Sequence, residues 1–523
     1  MSKKSDTKKV DFKETLWKSA EKLRNQMDAA EYKHIVLGLI FLKYISDSFD
    51  IQKNKIKKTV SDPKSDLFIS ENPEVYGKEL EDRDYYTKDN IFWVPQNARW
   101  EKIRSLAKQA EIGSIIDKAM VEIENENKSL IGKLDKRFGR TQLEEGKLGE
   151  LIDLISKIGF EDNSTSKDLL GEVYEYFLGK FAAAEGKRGG QFYTTRTIVK
   201  TLVSILEPYN GRVYDPCCGS GGMFVQSEEF VKSHGGKVDD ISIYGQESNP
   251  TTWRLASMNM ALRGYAADLG NSHGSSFGND QHQDKKFDFI LANPPFNDQD
   301  WEGEKYREDV RWVYGTPPVN NANFAWFQHI IWKLKPDGQA GIVMSNGASS
   351  AEESGEGEIR RAMIKDDLIE VMITLPPQLF INVQVPATLW FLTKNKNKHG
   401  RSRQKEHLFI NAKNLGTMIN STQKEFTDED INFLSNTVKS WRLGKDYRDI
   451  KGLCKSVTIK EIVENNYNLA PARYVGIDEN QIEKKFSDDD IELSINDLLS
   501  FDNESKKTSE DIFSALKQIK FKK

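Results

Sequence analysis

Between Gly211 and Lys394 short β-rich runs alternate with helical ones, and this alternation narrows the possible folds more than any other feature of the chain. The runs are GRVYD, ISIYGQE, FDFILA, QAGIVMS, LIEVMITLP and ATLWFLTK. Strand and helix alternating in this way predict an α/β fold, a mostly parallel sheet with helices on both faces. In such sheets ligands bind beyond the carboxyl ends of the strands. The residues that directly follow each run are therefore the first place to look for chemistry.

The flanks read differently. In LWKSAEKLRNQMDAAEYKHIVLGLIFLKYISDSFD, Leu16, Ala20, Leu23 and Met27, then Ile35, Leu39, Leu42 and Ile45, recur at helical spacing. A polar stretch from Ser61 to Asn97 interrupts this pattern, which resumes at KLGELIDLISKIGF with Leu148, Leu151, Ile152 and Ile155 on one side. We expect an N-terminal helical domain over 1–160, a catalytic α/β domain over 161–410 and a C-terminal region over 411–523 that ends in helices. Ile491, Ile495, Leu498 and Leu499 make an apolar stripe there, suited either to the chain's own body or to a partner helix.

Composition excludes several classes. No run of about 20 apolar residues exists to span a membrane, and MSKKSDTKKVDFKE lacks the apolar segment of a secretory signal. Three cysteines, Cys217, Cys218 and Cys454, form neither a disulfide framework nor a CxxC zinc pair. A cytoplasmic location is expected. The 75 basic and 80 acidic residues leave a net charge of −5, whereas a stand-alone DNA binder draws its affinity from a cationic excess. A nucleic-acid target would require a local basic face or a partner.

The first motif is DPCCGSGG, with Asp215 and then Gly219, Ser220, Gly221 and Gly222 after the run GRVYD. Glycines here allow positive φ and close backbone approach to a ligand. The spacing is neither G-x-G-x-x-G nor that of a Gly-Lys-Ser/Thr phosphate loop. Glu247 ends the next run and is placed to accept hydrogen bonds from ribose hydroxyls. Together they point to a nucleoside ligand without a long phosphate chain, against the bland alternatives of a tight turn and a solvated acid.

The second motif is Asn293-Pro294-Pro295-Phe296, after FDFILA. The prolines end the strand and stiffen the backbone. The Asn293 side-chain oxygen and the Pro294 carbonyl are suited to accept the two hydrogens of an exocyclic amine, aiming its lone pair at an electrophile. Phe296 offers a ring to stack on the heterocycle.

These residues resemble the amino-methyltransferases that use S-adenosyl-L-methionine, DPCCGSGG matching their cofactor loop and NPPF their catalytic motif. Over nearly its whole length the chain is similar to the modification subunits of type I restriction–modification systems. The matching stretches are MDAAEYKHIVLGLIFLKYISD, GKRGGQFYTTR, NNANFAWFQHIIWKL, LPPQLFINVQVPATLWFL and YNLAPARY. The resemblance implies a Rossmann-like methyltransferase sheet and direct transfer of methyl to adenine N6, with no metal and no covalent intermediate. It implies that Gln191, Phe192, Tyr193 and Thr194 contact the methionine end of the cofactor. Asp215 and the glycine loop would then line the methionine and ribose region, with Glu247 on the ribose. Asn293, Pro294, Pro295 and Phe296 would hold a flipped adenine.

The resemblance also implies partners: double-stranded DNA, a separate specificity subunit that chooses the sequence and binds two modification subunits, and a restriction subunit in the full complex. That arrangement answers the charge problem, with Lys187 and Arg188 as a local basic pair near the site's mouth. Two departures stand out. Thr195 occupies a position where the family commonly has proline, and HGSSF replaces the segment that usually offers an acid near the cofactor's adenine. Ser275 or Ser276 is the expected substitute, with Asp280 less apt. Alternatives are a non-catalytic DNA-clamping or assembly subunit, an enzyme acting on protein glutamine or an RNA amine, and a methyltransferase with its own target-recognition region.

Overall fold

A nine-stranded sheet organises the molecule, and every β-rich run read from the sequence is one of its strands. The structure, a computed structural model, describes residues 2–25, 27–141, 143–144, 146–158, 166–185, 194–237, 240–380, 386–398 and 400–477. Gln191, Phe192, Tyr193, the Lys187–Arg188 pair and the stripe from Ile491 to Leu499 lie outside the described residues. The strands are β1 (Gly211–Asp215), β2 (Ile241–Gly245), β3 (Ala267–Asp268), β4 (Phe287–Ala292), β5 (Leu334–Ser345) and β6 (Ile369–Thr374). They are followed by β7 (Ala387–Thr393), β8 (Glu406–Asn411), the short pair β9 (Thr417–Met418) and β10 (Lys424–Glu425), and β11 (Cys454–Thr458).

The sheet order is β11-β8-β6-β7-β5-β4-β1-β2-β3, while β9 and β10 form a separate two-stranded ribbon. Pairing is parallel for β1 with β2 and β4, for β2 with β3, for β4 with β5 and for β6 with β8. Strand β7 runs antiparallel between β5 and β6, and β11 runs antiparallel to β8. The sheet is thus mixed, with β7 running against both of its neighbours. Central strands β5, β6 and β7 are buried almost throughout, as expected where helices cover both faces.

Alternate strand residues feed two cores. Val213, Leu291 and Val371 meet the helices Arg196–Leu206, Gly222–Ser233 and Asp428–Leu443. On the other face Tyr214, Ile290 and Met372 meet Asn323–Lys333 and Glu356–Lys365. A third core belongs to the N-terminal helices. Helix Ala29–Ser61 is buried on nearly all sides from His34 to Ser46, which is why IVLGLIFL is apolar all round rather than striped. Helix Lys147–Ser156 turns Leu148, Leu151, Ile152 and Ile155 onto it, as the spacing predicts. The same core takes Tyr174, Phe177 and Phe181 from Ser166–Glu185 and Leu255, Met258 and Leu262 from Pro250–Leu262, so the helical region packs directly against the α/β part. No helix among the described residues is long and apolar enough to cross a membrane.

One buried charge cluster ties the region after β8 to the sheet. Glu370 on β6, 1% exposed, accepts from Arg403 (2.9 Å) and from Arg442 on helix Asp428–Leu443 (2.7 Å). Arg442 also donates to the Ile205 carbonyl (2.7 Å). Burial opposes ionisation of Glu370, but Arg442 and Arg403 hold its carboxyl down at about 2. Glu370→Ala strands two guanidinium groups without their partner, and we expect it to lower the unfolding free energy by about 3–5 kcal/mol, read as a reduced urea midpoint.

Candidate functional site

Strand order reverses between β1 and β4: β1, β2 and β3 progress to one edge, β4 and β5 to the other. A crevice opens at such a reversal, beyond the strand ends. The glycine loop leaves β1 and the Asn293 turn leaves β4, so the two sequence motifs meet there because their strands pair (Val213 with Phe289, Tyr214 with Ile290). A cleft of about 360 Å³ occupies the place.

Most of the expected residues converge on it. Asp215, Gly219, Ser220 and Gly222 line it from the loop after β1, and Glu247 from the end of β2. Ser275 and Ser276 contribute from the segment after β3, and Thr194, Asn293 and Pro295 also line the cleft. Gly221 does not line it. That residue has φ 85° and caps helix Gly222–Ser233, and a Cβ there would stand 2.9 Å from Met260 Cε. Gly219 also has positive φ (54°), but a Cβ on it would meet open space. Its lack of a side chain therefore leaves room rather than fitting a neighbour.

Two buried acids dominate the electrostatics. The Glu247 carboxylate accepts the backbone N–H of Gly219 (3.1 Å) and of Asn249 (2.7 Å), tying the glycine loop to the end of β2. Backbone bonds from Cys218 to the Gln246 carbonyl and from Gln246 to the Asp215 carbonyl, at 2.9 and 3.0 Å, add to that tie. Burial raises the pKa of Glu247 despite these donors. Asp215, 2% exposed, accepts the Cys217 N–H (3.0 Å). Burial, with Glu247 adding repulsion, pushes it up to about 7. The Cys217 and Cys218 thiols are driven well above their usual range by burial beside these acids. They are therefore poor nucleophiles.

The two serines divide their work. Ser276 Oγ donates to the Pro216 carbonyl, and its own carbonyl accepts from Arg311 (2.8 Å), so Ser276 acts as a strut between loops. The exposed Ser275 accepts the Phe277 N–H at 3.3 Å. Asp280 pairs with the buried Lys333 and is not among the cleft residues. Gln246, fully buried, clamps the same segment by donating to the carbonyls of Gly274 (3.0 Å) and Asn279 (2.7 Å).

At Asn293, Nδ2 donates to Thr194 Oγ1 at 2.8 Å, which fixes the amide's rotation and turns Oδ1 away from Thr194. Thr195 holds φ −62° at the start of helix Arg196–Leu206, the value proline would impose. The departure from proline therefore does not change the backbone path. Phe296 meets Phe380 edge to face, ring centres 6.3 Å apart. Phe380 was not singled out from the sequence, and neither were the tryptophans Trp301 and Trp326, which line the cleft and pack with Phe277. Their indole N–H groups are buried without a hydrogen-bond partner among the described residues. Lys33 and Leu178 reach the cleft from the helical region. All five lie outside the two motifs, where no local pattern distinguishes a lining residue from core.

A Rossmann-like sheet with a glycine loop after its first strand and an Asn-Pro-Pro-Phe turn after its fourth defines an α/β methyltransferase. Residues 165–483 match the N-6 DNA Methylase family and residues 12–155 match the HsdM N-terminal domain. The type I restriction enzyme HindI methylase subunit of Haemophilus influenzae is 45% identical over 408 residues, 74% of this chain and 91% of that protein. The MjaIX methylase subunit of Methanocaldococcus jannaschii is 38% identical over 494 residues, 93% of this chain and 86% of that one. A solved type I restriction-modification methyltransferase subunit from Streptococcus thermophilus superposes with TM-score 0.73 at 27% identity, covering 89% of this chain and 99% of that one. The chain belongs to the N-6 DNA methylase family, among the methylase subunits of type I restriction enzymes.

The raised Asp215 sets a pH signature. Its folded pKa near 7 lies above the ordinary carboxylate value, so the folded state binds more protons between about pH 4 and 7 and stability falls as pH rises through that window. Asp215→Asn should flatten this slope, measured as urea-unfolding free energies at pH 5 and pH 8.

Proposed function

We propose that this chain is the modification subunit of a type I restriction–modification complex and methylates adenine N6 in DNA, with S-adenosyl-L-methionine as donor. The observation that carries the reading is the amide of Asn293, held by Thr194 at the crevice it shares with the glycine loop. The cleft suits the cofactor on several counts. Asp215 is a buried acid whose charged form is only partly compensated, by Cys217, and a ligand ammonium would complete it. Gly219 leaves open space beside Glu247, and two buried indole N–H groups await acceptors. Asp215, Gly219 and Glu247 would hold the methionine and ribose parts, with Gln191 to Thr194 on the methionine end. Bound there, the cofactor supplies an electrophilic methyl on a sulfonium.

The chain's own residues do the rest. Asn293 Oδ1 and the Pro294 carbonyl accept the two amine hydrogens, which points the nitrogen lone pair at the donor and spreads the charge that develops on N6. Pro294 and Pro295 keep those acceptors from relaxing. Phe296 gives the extruded base a stacking face, and Phe380, roughly perpendicular to it, bounds the base's edge. Adenine N6 is the attacking group and the cofactor's thioether the leaving group, so the protein need supply no nucleophile, in keeping with the suppressed thiols of Cys217 and Cys218.

A net charge of −5 supports dependence on a partner for DNA affinity. That partner is the specificity subunit, expected to bind two modification subunits, with a restriction subunit joining in the full cytoplasmic complex. Tritiated methyl transfer to adenine in duplex DNA should require the specificity subunit, and equal transfer without it would overturn that part of the reading. Asn293→Ala should cost about 100-fold or more in transfer while cofactor binding persists. Phe296→Ala should weaken base capture and leave cofactor affinity near normal.

A further inference from the structure

The ribbon β9–β10 stands beside this site and has no role in the chemistry above. Strands β6 and β8 are parallel to each other and to β4, so the segments that follow them emerge on the same edge of the sheet as Asn293. The ribbon's Lys424 N–H donates to the Gln378 carbonyl (2.9 Å), two residues before Phe380. At its base Glu425 lies near Arg196, two residues past Thr194. The ribbon is therefore anchored alongside both Phe380 and the Thr194 that fixes Asn293.

Its tip is closed by hydrogen bonds and unusual in content. Ile419 N–H closes the turn on the Gln423 carbonyl (2.9 Å), and Asn420 Oδ1 accepts from the N–H groups of Thr422 (2.9 Å) and Gln423 (2.8 Å). Met418 and Ile419 are 47% and 51% exposed. Met418 ends β9 and Ile419 opens the turn, so the end of the ribbon presents two apolar side chains to solvent. From Asn411 to Lys424 the sequence NAKNLGTMINSTQK holds two lysines and no acid, in a chain that is acidic overall.

We propose that this ribbon is an arm that enters a DNA groove at the target base pair, Met418 and Ile419 wedging against the stack as the adenine leaves. Lys413 and Lys424 flank the wedge and face phosphates. Apolar wedges between base steps offset the cost of unstacking in this way, and the site's geometry requires the duplex to lie over this edge if a base is to reach Phe296. The inference rests on the adenine-methylating function proposed above.

The test uses the complex with its specificity subunit and two duplexes that carry a site the wild-type complex methylates. In one the target adenine is normally paired, and in the other it faces an abasic position. Met418→Ser/Ile419→Ser should lower methyl transfer to the paired duplex roughly tenfold or more, and transfer to the abasic duplex by less than about threefold, since there the base is already loose. Fluorescence of 2-aminopurine at the target position should fall in parallel. Lys413→Ala should reduce the slope of log affinity against log salt by about one. Equal loss on both duplexes, no loss on either, or failure of the variant to co-purify with the specificity subunit would each overturn the arm. Wild-type complex inactive on both duplexes would instead remove the function on which it rests.

Discussion

The parallel pairing of β1 with β4 is the constraint from which the site follows. Two register pairs, Val213 with Phe289 and Tyr214 with Ile290, place a glycine-rich exit beside a proline-stiffened one. Neither loop reaches the other by its own conformation. Each is brought there by the strand before it, and both strands are fixed by side chains that alternate between two cores.

Charge burial is used in two opposite ways in this molecule. Glu370 is buried with two arginines and stays ionised, so it fastens helix Asp428–Leu443 to the sheet. Asp215 is buried with few donors and another acid close by, so its charged form waits for a cation. The same desolvation acts on both. What differs is whether the fold provides the counter-charge or leaves that to a ligand.

Much of this was legible in the sequence. The runs GRVYD, ISIYGQE, FDFILA, QAGIVMS, LIEVMITLP and ATLWFLTK all became sheet strands, because apolar β-branched residues in short runs have few other uses. Asp215, Gly219, Glu247 and Asn293 converge because motifs at strand ends inherit the topology. Strand β11 was not read: CKSVT is a polar edge segment whose state is decided by pairing with β8 rather than by pattern. Phe380, Trp301 and Trp326 were missed for a related reason. Trp301 and Phe380 sit on connections that fold back over the sheet, and Trp326 on a helix buried almost all round, so no local period marks them. Ser276 carried a different lesson, since its hydroxyl proved to brace the Pro216 carbonyl.

Lys33 and Leu178 enter the cleft from the helical region, and that shared wall limits how the molecule can diverge. A methyltransferase whose pocket closed entirely within its sheet could exchange its helical partner freely, as modules are exchanged elsewhere. Here a new helical region would arrive with a new side to the pocket, and the two halves must change in step. Recombination between relatives should therefore find its neutral crossover points outside the Lys33-to-Trp326 span.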